Sequence, residues 1–318
     1  MFAASAGGHL DLLRAVAPQV LGDREPVWVT SRTPRGEALR GAAREVELLP
    51  EYERSPFRAL ANVLAAARVV ARSRPRTVVT SGAGVVAPFC LLARLAGARL
   101  LYIETMARVN SPSMTARLLS RIAARVVVQW PELAPALPRA VVCRPTLLED
   151  LAVSPTPAGS GTFVAVGTHA QPYSRLLEIV RRGVEEGLLP EPVHAQVGPA
   201  DWALPAARVD RYMAREELEA AVRTAGVVIC HGGAGIISSA LAAGRKPIVI
   251  ARRASLGEHV DDHQLELTGK LADWGLVVGI EDRITAADVA AASRPVEVPS
   301  EIRERPSAAQ VLREALAA

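Results

Sequence analysis

A histidine stands directly behind two glycines in Ser5-Ala6-Gly7-Gly8-His9, where a β-rich run gives way to an apolar-periodic stretch. A glycine pair lets a backbone turn tightly and approach a ligand, and a helix start favours an anion or a polar group. An imidazole placed there accepts a proton near neutral pH, which makes His9 a candidate general base. The plain alternative is a helix-capping histidine in an ordinary strand-to-helix turn. The run is not a dinucleotide fingerprint, because the chain contains no G-x-G-x-x-G. Two further runs fall at strand ends: Ser81-Gly82-Ala83-Gly84 and Tyr102-Ile103-Glu104-Thr105. Glu104 is a second candidate base, or the group that orients His9; a solvated loop carboxylate is its alternative.

The strongest run is residues 227–250, VVICHGGAGIISSALAAGRKPIVI. A β-rich segment ends at His231, Gly232-Gly233-Ala234-Gly235 forms a tight bend, and a small-residue helix follows. Such a bend aims successive backbone N–H groups and a helix dipole at one point, which suits a diphosphate. Gly257-Glu258-His259-Val260-Asp261-Asp262-His263-Gln264 then opens another helix, a polar run able to hydrogen-bond a sugar or a ribose. His259, Asp261 and His263 are metal-ligand types, but soluble helix starts commonly carry Asp and His without a metal, so no metal is assigned.

The elements that must position these runs alternate in period. Strands are expected at residues 2–6, 26–30, 45–49, 77–81, 99–104 and 125–129, with helices at 10–20, 55–73, 86–96 and 113–123. Residues 154–161, SPTPAGSG, read as an interdomain linker. A second series follows, with strands at 162–166, 193–197, 227–230, 247–250 and 275–278 and helices at 174–186, 215–223, 236–243 and 262–273. A closing helix is expected at 307–317. Repeated βα units imply parallel sheets covered on both faces, hence an α/β protein of two doubly wound domains facing across a cleft. The expected division is a domain at 1–150, a linker at 151–161 and a second domain at 162–318 that includes the closing helix.

With 318 residues, half of them apolar and only 4% aromatic, the composition is that of a packed globular chain. Cys90, Cys143 and Cys230 are far apart and form no C-x-x-C, so they are expected as reduced core thiols. No apolar run reaches the roughly 18 residues of a spanning helix, and MFAASAGGHL lacks the basic start of a signal peptide. Residues 1–150 hold 20 Arg against 12 acidic residues, whereas the remainder carries net −4. A basic first half suits a phosphate-rich or anionic-lipid partner, and equally an arginine-rich composition without function.

At these motifs the chain resembles a known family. It is similar to a single-chain fusion of the two subunits of the eukaryotic N-acetylglucosaminyltransferase acting on dolichyl-diphosphate-N-acetylglucosamine. It is closer still to bacterial enzymes that extend undecaprenyl-diphosphate-linked glycans for exopolysaccharide, of the glycosyltransferase family 28 type. SAGGHL at 5–10, SGAG at 81–84, YIETMARV at 102–109 and VVQWPELAPALP at 127–138 resemble the acceptor-side subunit. TFVAVGTH at 162–169, QVG at 196–198, CHGGAG at 230–235 and DDHQLEL at 261–267 resemble the donor-side subunit.

The resemblance implies the GT-B fold and metal-independent, inverting transfer without a cofactor. It also implies a UDP-sugar donor held mainly by the second domain and a polyprenyl-diphosphate-linked acceptor; no nucleic acid is expected as a partner. His9 or Glu104 would be the base. Gly167, Thr168, His231, Gly232, Gly233, Ala234, Gly235, Glu258, His263 and Gln264 would hold the donor, and Gly7, Gly8, Ser81, Gly82 and Arg108 would lie on the acceptor-side loops. The family's Asn/Glu-containing loop is replaced by Ala251-Arg252-Arg253-Ala254-Ser255-Leu256-Gly257-Glu258-His259. An Arg252–Arg253 fork there leans the donor toward UDP-glucuronate, with UDP-N-acetylglucosamine next. A UDP-sugar 2-epimerase and a non-catalytic nucleotide-sugar-binding subunit are the rival readings. The family's amino-terminal membrane helix has no counterpart, so a cytoplasmic location, peripheral on the inner face of the plasma membrane, is expected. Amphipathic, arginine-flanked stretches at 55–76 and 113–125 are the expected contacts with an anionic membrane.

Overall fold

The computed structural model describes residues 1–41, 43–51, 55–149, 151 and 159–317. Most of the expected linker, residues 152–158, lies outside the described residues. The chain divides into two compact units, Met1–Thr146 together with Arg305–Ala318, and Leu147–Glu304.

The first unit runs β1 (Phe2–Ala4), α1 (Gly8–Leu21), β2 (Val27–Ser31), α2 (Pro34–Leu39), β3 (Glu45–Leu49), α3 (Pro56–Ser73), β4 (Thr77–Gly82), α4 (Ala87–Leu95), β5 (Arg99–Ile103), α5 (Met114–Leu119), β6 (Arg125–Val128) and β7 (Ala140–Val142). Its seven strands are ordered β3-β2-β1-β4-β5-β6-β7 and pair in parallel. The order reverses between β1 and β4, and ligands of open parallel sheets bind outside the carboxyl ends of the strands at such a reversal.

The second unit runs β8 (Thr162–Ala165), α6 (Ser174–Glu185), β9 (Val193–Gln196), β10 (Arg208–Asp210), α7 (Arg215–Thr224), β11 (Val227–His231), α8 (Ala234–Ala242), β12 (Ile248–Ile250), α9 (His263–Asp273), β13 (Val278–Ile280), α10 (Ala286–Ala292) and α11 (Ser300–Arg303). Its six parallel strands are ordered β10-β9-β8-β11-β12-β13, reversing between β8 and β11. Central strands buried on both faces read as near-continuous apolar runs, and β11, with Val227 to Cys230 buried, is of that kind.

The closing helix corrects the expected division. α12 (Ala308–Ala317) buries Ala308, Ala309, Val311, Leu312 and Ala315 in the core formed by Phe2, Leu13, Val16, Ala17 and Val127 of the first unit. Arg144 N–H donates to Pro306 O at 2.8 Å on the way. The apolar stripe of α12 needs a buried face, and the first sheet supplies it. Further differences are local: α5 stops at Leu119 where a helix to 123 is expected, and α10 and α11 are not anticipated. β7, β10 and α2 are too short to carry a period. The expected strand at 275–278 begins instead at Val278, because Gly275 (φ 68°) turns the chain out of α9 first. α8 starts at Ala234, earlier than expected.

Cys90, Cys143 and Cys230 are all free and buried, and burial pushes the Cys90 thiol up to about 12. No helix among the described residues is long and apolar enough to cross a membrane.

Candidate functional site

In the first unit the loops after β1 and β4 meet at the reversal. His9 Nδ1 lies 2.8 Å from Ser81 O; a carbonyl only accepts, so Nδ1 carries the proton and Nε2 keeps its lone pair. Ser81 Oγ donates back to His9 O at 3.0 Å, so Ser81 fixes both the ring and its backbone. Burial lowers the pKa of His9, the Ser81 bond opposes that, and the charge of nearby Arg108 lowers it further. The ring is therefore neutral at neutral pH, as a base requires. Helix α1 starts after Gly7 (φ 124°) without a side-chain cap, so its first N–H groups have neither an intrahelical partner nor a capping side chain. A Cβ added at Gly7 or Gly8 would meet nothing within 4 Å. Packing thus does not demand glycine at Gly8, but a ligand lying against the backbone would.

Glu104 departs from expectation. It is fully buried, and its two carboxylate oxygens accept from Thr105 N–H and Ser113 N–H, both at 3.0 Å. Burial raises its pKa against those bonds. Its occupied oxygens tie down the 105–113 loop, and the orientation of His9 is the work of Ser81. Gly82 (φ 86°) is likewise a packing glycine: a Cβ there would sit 2.8 Å from Tyr102 Oη.

In the second unit the corresponding reversal carries His231 and Gly167. His231 Nδ1–H donates to Ala165 O at 3.3 Å, and burial brings its pKa down to about 4. A Cβ on Gly167 (φ 85°) would lie 2.6 Å from His231 Cε1, and one on Gly233 would run into His231 Nε2. The two glycines thus leave a slot that the imidazole fills. Helix α8 begins at Gly233 with no side-chain cap, while a Cβ on Gly235 would meet nothing within 4 Å. An uncapped, unobstructed helix start of this kind is an anion site in the making. Thr168 is exposed beside it. Gln196 was given no role from its sequence, yet it clamps Gly167 by accepting from Gly167 N–H and donating to Gly167 O.

The loop between β12 and α9 is built differently from the expected arginine fork. Arg252 is fully buried. Its NH1 and NH2 donate to Gln171 O, Glu258 O and Val166 O, and its guanidinium lies 4.5 Å from the centre of the Tyr173 ring. Arg253 pairs with Glu281 at 3.0 Å. Glu258 is held by both Arg175 Nε (2.8 Å) and NH2 (2.9 Å) and accepts from Arg253 N–H. Arg252 and Glu258 therefore brace the loop, while Arg253 forms a solvent-facing pair with Glu281, whose side chain is 80% exposed. Tyr173 and Arg175 gave no signal in sequence, lying some eighty residues from the partners they bind. Gln264 Oε1 accepts from Arg252 N–H at 3.1 Å; its Nε2 makes no hydrogen bond among the described residues. α9 packs so closely on the glycine bend that a Cβ at Gly232 would lie 2.8 Å from Gln264 Cβ, which sets His263 and Gln264 beside the bend.

Two apolar rows remain on the surface of the first unit. Phe57, Leu60 and Leu64 of α3 are exposed while its Ala66, Val69 and Val70 are buried, and on α5 Met114 and Leu118 are exposed.

Residues 40–144 match the family described as oligosaccharide biosynthesis protein Alg14 like, and residues 162–305 match the glycosyltransferase family 28 C-terminal domain. The chain is 31% identical over 228 residues to the UDP-N-acetylglucosamine–N-acetylmuramyl-(pentapeptide) pyrophosphoryl-undecaprenol N-acetylglucosamine transferase of Xylella fastidiosa, covering 66% of this chain and 59% of that protein. The same-named protein of Pseudomonas fluorescens is 30% identical over 250 residues, covering 74% and 67%. The chain belongs to glycosyltransferase family 28. It spans about three-fifths of the length of the Xylella relative. Among solved structures, Acinetobacter baumannii MurG matches with TM-score 0.67 at 20% identity, over 99% of this chain and 98% of that one. UDP-GlcNAc 2-epimerase from Methanocaldococcus jannaschii matches with TM-score 0.71 at 9% identity, over 100% and 99%. At such identities the two structures speak for the fold alone, which is GT-B, with two doubly wound α/β units.

Proposed function

We propose that this family 28 protein is an inverting glycosyltransferase moving a sugar from a UDP-sugar to a polyprenyl-diphosphate-linked saccharide. The observation that carries the reading is the uncapped glycine bend at Gly232–Gly235 with Gln264 beside it, in the segment matched by the family's donor-side domain. In this mechanism the N–H groups at the start of α8 take the diphosphate and stabilise its charge as it leaves. His263 and the free Nε2 of Gln264 contact the donor sugar, with Gly167 and Thr168 on the neighbouring loop. His9 Nε2 removes the proton of the attacking acceptor hydroxyl. Arg108 and the open backbone at Gly7–Gly8 lie on the acceptor side.

With Arg252 engaged inside the protein, UDP-N-acetylglucosamine, the donor in the relatives' names, takes precedence over UDP-glucuronate. The test is a panel of UDP-sugars offered to the purified chain with prenyl-diphosphate mono- and disaccharides. Transfer with inversion from UDP-N-acetylglucosamine is expected. Transfer from UDP-glucuronate alone overturns the donor assignment, and epimer formation without acceptor overturns the reaction class.

Acceptors of this kind reside in membranes, and the exposed rows on α3 and α5, with Arg58, Arg68, Arg117 and Arg121 alongside, support peripheral docking on an anionic leaflet in bacterial glycan or exopolysaccharide assembly. Flotation with anionic vesicles at low salt, lost as salt rises, is the expected result. Flotation that persists after Phe57→Ser, Leu60→Ser and Met114→Ser combined removes these rows from the contact.

A further inference from the structure

The turn leading into α9 gathers His259 and Asp261, which neither the loop bracing nor the proposed donor contacts use, against His263, whose proposed role is at the donor sugar. His259 Nδ1 lies 3.4 Å from Asp261 Oδ1, and His263 Nδ1 is in close contact with the same oxygen. The rings of His259 and His263 stand 4.6 Å apart, edge to face. The donor atoms of the three residues fall within 4.8 Å of one another. The ring of His169, from the loop after β8, stands 5.1 Å from that of His259. The backbone under the cluster is fixed: Arg175 grips the Glu258 carboxylate, Arg252 the Glu258 carbonyl, and Ala254 N–H donates to Asp262 Oδ1 at 2.8 Å.

Two imidazole nitrogens and one carboxylate oxygen make a donor set suited to zinc, nickel or iron, and one that leaves coordination positions open. An ion about 2.1 Å from each donor needs them about 3–3.5 Å apart, a spacing reached by small rotations of side chains that already face one another. We propose that His259, Asp261 and His263 form a binding site for a divalent transition-metal cation of the zinc class. The site stands on these residues alone. Its consequence rests on the donor reading above: a doubly charged ion beside Gly232–Gly235 strengthens UDP binding without being required for it.

The experiment uses the untagged full chain stripped by a chelator. Titration with Co2+ is followed by visible absorption, then Zn2+ is added by calorimetry. One equivalent of Co2+ should bind with a d–d spectrum, and Zn2+ should displace it. His259→Gln and, separately, Asp261→Asn should each weaken binding at least about tenfold while keeping the wild-type thermal midpoint of the metal-free protein. Absence of saturable binding to the wild type, or binding unchanged in the folded double variant, overturns the site. UDP titrations supply the second arm. One equivalent of Zn2+ should tighten UDP binding by at least about fivefold in the wild type and not in His259→Gln, whose metal-free UDP affinity stays at the wild-type value. Zinc binding with UDP affinity unmoved overturns the coupling. A metal-free chain that does not bind UDP sinks the donor reading and leaves the metal site standing.

Discussion

Each sheet places a histidine at the strand pair where its order reverses, and the two imidazoles are handled in opposite ways. His9 is the second residue of α1; its Nδ1–H is taken by Ser81 O, and the glycines before it have open space around them. Its second nitrogen is left for chemistry. His231 ends β11; its Nδ1–H is taken by Ala165 O, and its ring fills the slot between Gly167 and Gly233. It shapes the bend from which α8 starts. One strand order therefore yields either an imidazole at an open turn or a wall, depending on whether the glycines nearby open space toward solvent or toward the ring.

The comparison breaks first at His9. His9→Ala should lower kcat by about 10²–10⁴ with UDP affinity in calorimetry unchanged, and the acid limb of kcat/KM in the wild type should fall below the ordinary histidine value of about 6.5. A variant that turns over near the wild-type rate transfers the base role elsewhere.

His231 should show itself in stability. Its pKa is about 4 in the fold and about 6.5 when unfolded, so the unfolded chain takes up the proton first. Stability from the neutral ring is complete above pH 6.5 and declines toward pH 4, by at most about 3 kcal/mol. His231→Gln should flatten this part of the denaturation profile against pH; an unchanged slope assigns it to other groups.

A smaller effect is expected from the glycines. Gly233→Ala pushes the His231 ring from its slot and, at the 1–3 kcal/mol or so typical of overpacking, should weaken UDP binding about tenfold or more and lower the thermal midpoint. Gly235→Ala has room for its methyl and should keep the midpoint while losing UDP affinity. Equal thermal losses in both would remove the distinction between slot and open bend.

Smallest of all in turnover is Glu104→Gln. An amide replaces one acceptor and sets an NH2 against a backbone N–H, so stability should drop by about 1–3 kcal/mol while kcat stays within a few-fold. A dead enzyme with wild-type stability would make Glu104 the base instead.

The glycine loops after β1, β4 and β11 were readable in the sequence, because a strand-to-helix turn with close backbone approach has few residue solutions; that they meet where the strand order reverses was not. The roles of Glu104, Arg252 and Glu258 were not. Each is a charged residue in a loop after a strand, and whether it faces a ligand or partners inside the protein depends on segments far along the chain: Ser113 for Glu104, Val166 and Gln171 for Arg252, Arg175 for Glu258.

The sequence by itself determined the βα alternation, the two-unit α/β organisation, the position of His9 and the Gly232–Gly235 bend, since these follow from local period and from glycine's freedom. Only the tertiary structure decided that α12 completes the first core and that Glu104 is occupied. It likewise decided that Arg252 is spent on the loop and that His259, Asp261 and His263 converge. Burial and hydrogen-bond partnership are properties of long-range packing, and the local pattern that fixes a helix or a turn carries no record of which distant carbonyl or carboxylate will stand opposite.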